Sequence, residues 1–357
     1  MKSRLLFLFF LLFSFKVTIA ALQSFTINDS LMQKSFSKDS IWPKYSSKFY
    51  DDYSNMLGLF IQAKQKKSWF KITNPVTDDV IDYSPKNQVY MGLGFHYKFI
   101  GNGLSLNFGF LQYDKDEKDK TSRLDMHVNV IFKRVVYDFD LRYYKNFSLK
   151  NPEEVFPDSI NIEQEYIRPD IQTAFLGVGA VYVFNYDKFS YRAAFTQTAI
   201  QKKSAGSFML GSQIFLQSLK GDSSIFPSNS KFSNLPLVTF HSSLYIGLKM
   251  AYAYNFIIKK HFFAALTLAS ALEFGKSVSE LEDGEVFPHY KPILHIQPRA
   301  SIGFNKPKWY AGASYNRDTF LDLSSSEYKE LVYSFRSENF RLFFGMRFNW
   351  LSRKKLK

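Results

Sequence analysis

The residues best placed for chemistry share one predicted hairpin. Around the basic turn Lys133–Arg134, one arm carries Arg123, Asp125, His127 and Asn129 at every second position. The other arm carries Asp138, Asp140 and Arg142 in the same way. A side-chain period of two puts each set on one face of a strand. A two-residue turn sets Asp125 opposite Arg142, His127 opposite Asp140 and Asn129 opposite Asp138. Opposite charges attract across a strand pair, so a ladder of paired charge filling an interior is expected. The sharper alternative is His127 as a general base oriented by Asp140. No nucleophile accompanies that pair.

Other enzyme signatures are absent. The chain has no G-x-S-x-G, no H-E-x-x-H and no glycine-rich phosphate loop. His96, His127, His241, His261, His289 and His295 are scattered without metal-ligand spacing. With no Cys, disulfides and thiolate metal sites are excluded. The run His241–Ser242–Ser243 is the one pairing a lipid hydrolase or acyltransferase could use. The expectation is a protein that is not an enzyme, with no catalytic residue, no cofactor and no metal.

The strands that would hold these residues are legible as alternation. From Phe340 to Trp350, Phe340, Leu342, Phe344, Met346, Phe348 and Trp350 point one way. Arg341, Gly345, Arg347 and Asn349 point the other, and Phe343 breaks the pattern. The same alternation runs through Leu57–Lys64, Val89–Lys98, Leu104–Phe110, Leu244–Asn255 and the pair holding Arg299 and Trp309. Large apolar side chains opposite arginines fit a strand with lipid outside and a wet lumen inside. A soluble β-protein would not expose so many Phe, Leu and Tyr opposite charge. Aromatics at 18% (39 Phe, 22 Tyr) would supply the girdles at the two membrane interfaces.

Connections alternate in length. Five short ones, 99–103, 132–135, 184–189, 255–262 and 304–309, carry small polar or basic turns beside aromatics. Long hydrophilic segments fall at 67–86, 114–120, 148–170, 200–240, 274–290 and 322–338. Short turns in the periplasm and long loops outside the cell describe an outer-membrane barrel. The expected fold is all-β: a transmembrane, antiparallel, up-and-down β-barrel of about twelve strands. Its last strand should pair with the strand near Leu57–Lys64. Within 200–240, Phe208 to Leu219 is a further strand candidate.

The predicted inward set is basic: Lys64, Lys98, Arg192, Lys249, Arg299, Arg341 and Arg347. Arg192 is placed on a strand 189–195, over the space left by Gly177 and Gly179. An open lumen of this kind favours anions; in a closed one these residues become plug contacts. Lys202 and Lys203 are placed at a loop base, solvated or touching lipopolysaccharide phosphates.

The leader MKSRLLFLFFLLFSFKVTIAA has a basic start and an apolar core too short to span a membrane. It predicts export and cleavage, with 1–20 as signal peptide. The formal charge of +14, less Lys2, Arg4 and Lys16, leaves about +11. Export makes nucleic acid an unlikely partner, which leaves anionic lipid or a basic pore lining. Residues 21–55 form a periplasmic arm, 56–350 the barrel and 351–357 a basic tail.

Three stretches, YIRPD at 166–170, FSYRAAF at 189–195 and QKKSAGSFMLG at 201–211, resemble domain-of-unknown-function family 4421 from Bacteroidota. The resemblance runs from about Tyr50 to the end. It implies a cell-envelope location in a Gram-negative bacterium and gives no activity or site residue. The expected role is a channel or transporter for small solutes, anions among them. A closed structural or partner-binding barrel acting through its extracellular loops is the alternative, and a lipid-modifying enzyme comes third. Expected partners are outer-membrane lipid, lipopolysaccharide and the barrel assembly machinery.

Overall fold

Strand pairing closes the sheet on itself. The computed structural model describes residues 44–85, 88–98, 100–101, 105–108, 122–157, 166–228, 230–232, 235–322 and 331–349. The leader, the tail after Asn349 and the loop candidate 114–120 lie outside the described residues. In the wall, β3 (Leu57–Thr73), β4 (Val80–Ser84), β5 (Gln88–His96), β6 (Ile100–Gly101) and β7 (Ser105–Phe108) come first. They are followed by β8 (Ser122–Ile131), β9 (Val135–Leu149) and β10 (Ile167–Val183). The second half holds β12 (Ala205–Lys220), β13 (Val238–Ile258), β14 (Phe262–Leu281), β15 (Val286–Asn305), β16 (Trp309–Asp322) and β17 (Val332–Phe348).

The last strand returns to the first, with Phe348 opposite Leu57 and Leu342 opposite Ala63, as the alternation predicts. Short β4 pairs with both β3 and β9. Ten strands therefore close an antiparallel hydrogen-bonded ring: β3, β4, β9, β10 and β12 to β17. Further along β3 and β9, toward the short-turn end, β5 and β8 take the place of β4, with β7 on β5 and β6 on β8. With β5 and β8 counted beside the ring of ten, the wall has the expected twelve strands, and β6 and β7 are short additions to it.

The wall follows the pleat. Along β13, Leu244, Ile246, Leu248, Met250 and Tyr252 are exposed, while Tyr245, Lys249, Ala251, Ala253 and Asn255 are buried. Leu248 is 70% and Leu268 60% exposed, an apolar belt that lipid would cover. Two expected long loops are in part strand. Both β14 and β15 run on until only 282–285 separates them, and β17 begins at Val332. Past the belt the outer face is no longer in lipid, so it need not be apolar, and the alternation that marks a strand fades.

One predicted strand is not a strand. Residues 189–195 leave the wall, and β12 takes the place beside β10, with Val183 opposite Met209. The segment between them holds helix α2 (Tyr191–Phe195), the second helix after α1 (Pro152–Val155). Ser190 is its N-cap; its hydroxyl accepts from the Ala193 amide at 3.4 Å. Two alanines and that cap favour a helical turn over a strand. The expected turn 184–189 is thus the start of an insertion. It ends in β11 (Ala199–Gln201), which joins β1 (Tyr45–Ser46) and β2 (Tyr50–Asp52) in a three-stranded sheet.

The insertion fills the turn end of the barrel. Phe189, Tyr191, Ala194 and Phe195 are buried against Ile131, Val136, Met209 and Phe263. Inward Ala251, Ala253, Ala265 and Ala269 leave the room it occupies. The loop end has its own core of Phe70, Ile81, Tyr83, Phe147, Leu219 and Phe226. Between the ends lie a charged layer and an aromatic layer of Phe175, Phe215, Tyr245 and Phe320. Phe215 and Phe320 stand 4.9 Å apart, ring centre to ring centre.

Candidate functional site

The hairpin ladder sits in the charged layer with the expected register. Asp125 faces Arg142, His127 faces Asp140 and Asn129 faces Asp138. Backbone opposition does not set every partner. Asp125 is bound by Lys66 from β3 at 2.6 Å and accepts from the Tyr144 hydroxyl at 2.5 Å. Arg142 donates through Nε to Asp140 at 2.9 Å and through Nη2 to Asp318 on β16 at 2.6 Å. Arg299 approaches Asp138 at 3.6 Å, and Asn129 also donates to Asp138. His127 Nδ1 lies 3.8 Å from Asp140, beyond hydrogen-bond reach. Arg123 pairs with Tyr144 in the backbone register, and its side chain lies outside the described set.

These groups enclose a cavity of about 130 Å³. Lys64, Lys66, Arg142, Lys249, Arg299 and Arg341 line it, against the carboxylates of Asp138, Asp140 and Asp318. Phe195 of the inserted helix closes one side and Phe175 and Phe215 the other. Arg299 donates to the Tyr191 hydroxyl at 2.7 Å. Arg341 reaches the Phe195 carbonyl, and Arg347 donates to the Gln197 carbonyl and to Asn305 at 2.7 Å. Arg299, Arg341 and Arg347 are thus inward and touch the plug.

Three placements differ from expectation. Lys98 is exposed, in a turn with φ of 55°, and its side chain lies over the Tyr97 ring. It falls just past buried His96, where the strand ends, so it does not line the lumen. Arg192 stands on α2 and pairs with Asp52 at 2.9 Å. The space beside Gly177 is taken by the Phe175 ring. Lys202 and Lys203 sit at the turn end, where both amides donate to the Phe49 carbonyl and the Lys202 ammonium meets Asp51 at 2.8 Å. They do not lie at the base of a loop-end loop, where lipopolysaccharide phosphates were an option.

Four site residues escape the sequence reading: Lys66, Glu273, His295 and Asp318. Glu273 is fully buried, bound by the Gln213 amide, with His295 Nδ1 at 3.6 Å. His295 Nε2 lies 3.7 Å from Asp318 and its ring stacks on Phe320. A signal for three of them exists: Lys66 continues the parity of Lys64, His295 that of Arg299, and Asp318 that of Ser314.

The His241 pairing is real in geometry. His241 Nε2 and Ser243 Oγ are 3.2 Å apart, and Nδ1 is 3.0 Å from Ser279 Oγ. A serine stands where an acid would orient the imidazole. The ring stacks on Tyr333 at 3.8 Å, and the adjoining cavity is about 30 Å³, too small for an acyl chain. Among the described residues, no cluster of His, Cys, Asp and Glu could hold a metal ion.

The YIRPD stretch also has a structural role. Arg168 binds Asp170 through Nε at 2.8 Å and Nη2 at 2.7 Å, and donates to the Ser224 carbonyl at 2.9 Å. It ties the loop after β12 to the loop end of the wall.

The sequence profile described as Domain of unknown function (DUF4421) matches residues 39–348. A comparison with curated proteins gives no match. Among solved structures, the outer membrane protease OmpT from Escherichia coli is similar at 8% identity. The match covers 87% of this chain and 99% of that one, with a TM-score of 0.39. The Pseudomonas putida toluene transporter TodX is 7% identical over 82% and 90%, at 0.24. The OmpT of Vibrio cholerae is 9% identical over 85% and 99%, at 0.29. At such scores no residue role passes from those proteins to this chain.

Proposed function

The chain belongs to the family described as Domain of unknown function (DUF4421), and from that premise we propose that it is a closed outer-membrane β-barrel. Its working surface is the loop end, where it holds a partner, and it is not an enzyme. One observation carries this: the insertion 184–204 occupies the turn end of the lumen from within, with Ala194 fully buried. Support for the membrane is the exposed apolar belt around a closed ring. A pore needs a wet path, and here plug, charged layer, aromatic layer and loop-end core follow one another.

Planar-bilayer recording of the refolded full chain tests it. No sustained current is expected, and a stable complex should come down with the tagged protein from outer-membrane extracts. Steady single-channel current would overturn the closed barrel. Unchanged lipid composition after His241→Ala is expected of a non-enzyme.

A transport role for small anions is the second reading. The observation favouring it is the excess of cations facing the cavity. It requires the plug to leave, and anion-selective current on plug removal would speak for it.

A further inference from the structure

The charged cavity holds more positive than negative charge, and the excess can be assigned to particular side chains. Arg142 is met by Asp140 and Asp318, Arg299 faces Asp138, and Lys66 binds Asp125. The remaining buried acid, Glu273, is held by Gln213 and lies beside His295. Arg341 donates to the Ser314 hydroxyl and the Phe195 carbonyl, which leaves Lys64 and Lys249. Both line the cavity, Lys249 is 5% exposed, and neither forms an ion pair among the described residues. They come from β3 and β13, five places apart around the wall by way of β17 to β14, and reach the same cavity from well-separated strands.

A buried ammonium without a counter-charge is unfavourable. It either sheds its proton or acquires an anion. The space allows the second. A buried water needs about 10–15 Å³ on this measure, so about 130 Å³ takes an oxyanion with water to spare. Arg341 lines the same space beside Lys64, and Gln297 and Asn316 add amide groups that can donate.

We propose that the cavity is a binding site for a small oxyanion of phosphate or sulfate size, held between Lys64 and Lys249. The site is internal and goes beyond any role of the loop end. The anion supplies the missing negative charge and cross-links well-separated strands of the barrel.

Inorganic phosphate is the probe. The thermal unfolding midpoint of the detergent-folded full chain is followed by its heat-dependent gel migration, with phosphate replacing chloride at fixed ionic strength. Ligand binding to the folded state raises the midpoint by mass action, so a saturable rise is expected. Lys64→Gln and Lys249→Gln should each move the half-effect to higher phosphate by roughly tenfold, as for the loss of one charge-assisted contact. The exposed Lys276→Gln should leave it in place. No rise in the parent protein would overturn the site, as would equal responses in the parent and both cavity variants. Should one lysine variant fail to fold, the other decides. Bilayer conductance on the same preparations reports separately on the closed barrel.

Discussion

Arg142 Nη2 stands 2.6 Å from Asp318 Oδ2, and the two residues belong to strands, β9 and β16, that share no edge. The contact is a strut across the lumen. Both side chains are 8% exposed, and Asp140 completes the group. Breaking a buried pair from one side leaves uncompensated charge and costs about 3–5 kcal/mol. Arg142→Met is therefore expected to lose about that much, measured by urea-dependent folding into lipid vesicles. A loss well under about 1 kcal/mol would mean that water already solvates the carboxylates.

Arg192 holds the plug from below. Its Nη1 is 2.9 Å from Asp52 and its Nε 3.1 Å from the Ile131 carbonyl, so one residue joins the N-terminal arm, the insertion and the wall. Asp52→Ala is expected to cost about 1–3 kcal/mol, the range for an unsatisfied partly buried charge. It should also make 184–204 more susceptible to protease and produce brief current bursts in bilayers. Unchanged cleavage would show that the apolar contacts of Phe189 and Phe195 alone retain the segment.

The alternation of Phe340 to Phe348 was enough to place the last strand, its partner β3 and the inward arginines, because lipid and lumen impose opposite chemistry on alternate residues. The hairpin register was legible because Lys133–Arg134 forms a two-residue turn, which fixes every pair. What alternation cannot convey is a segment inside the barrel. Phe189, Tyr191, Ala193 and Phe195 fit a strand face equally well, yet helix α2 buries Tyr191, Ala193, Ala194 and Phe195 together. The inward alanines of β13 and β14 were the available sign that something fills that end. Partner choice was the other limit: Lys66 takes Asp125 because lumen side chains reach across layers, whereas register only orders the backbone.

Asp170 should make the loop end acid-sensitive. It lies beyond the apolar belt, and the hydrogen bonds from Arg168 hold its carboxyl below the usual carboxylate value. A depressed folded-state value means the unfolded state takes protons first. The stabilisation is present above the unfolded value of about 3.9 and is lost as pH falls through the lower folded one. Protection of the 221–226 amides against hydrogen exchange is expected to be constant above about pH 4 and to fall below it. In Asp170→Asn it should be lower throughout and lack that step. An identical step in the variant would assign it to another group.

The apolar belt makes the membrane assignment testable at a single position. Leu248 is 70% exposed on β13, and its neighbour Lys249 is buried inside. For a barrel in water, Leu248→Arg would replace an exposed apolar side chain with a charged one and cost almost nothing. In lipid, an arginine near the bilayer midplane costs about 2–4 kcal/mol. The expected outcome is a loss of that size on folding into vesicles, shrinking toward zero for Ile258→Arg beside the turn at Lys259 and Lys260. Equal and negligible effects at both positions would remove the lipid from the explanation of the belt. The contrast between the two positions matters more than either value, because general disruption of the strand would affect both alike.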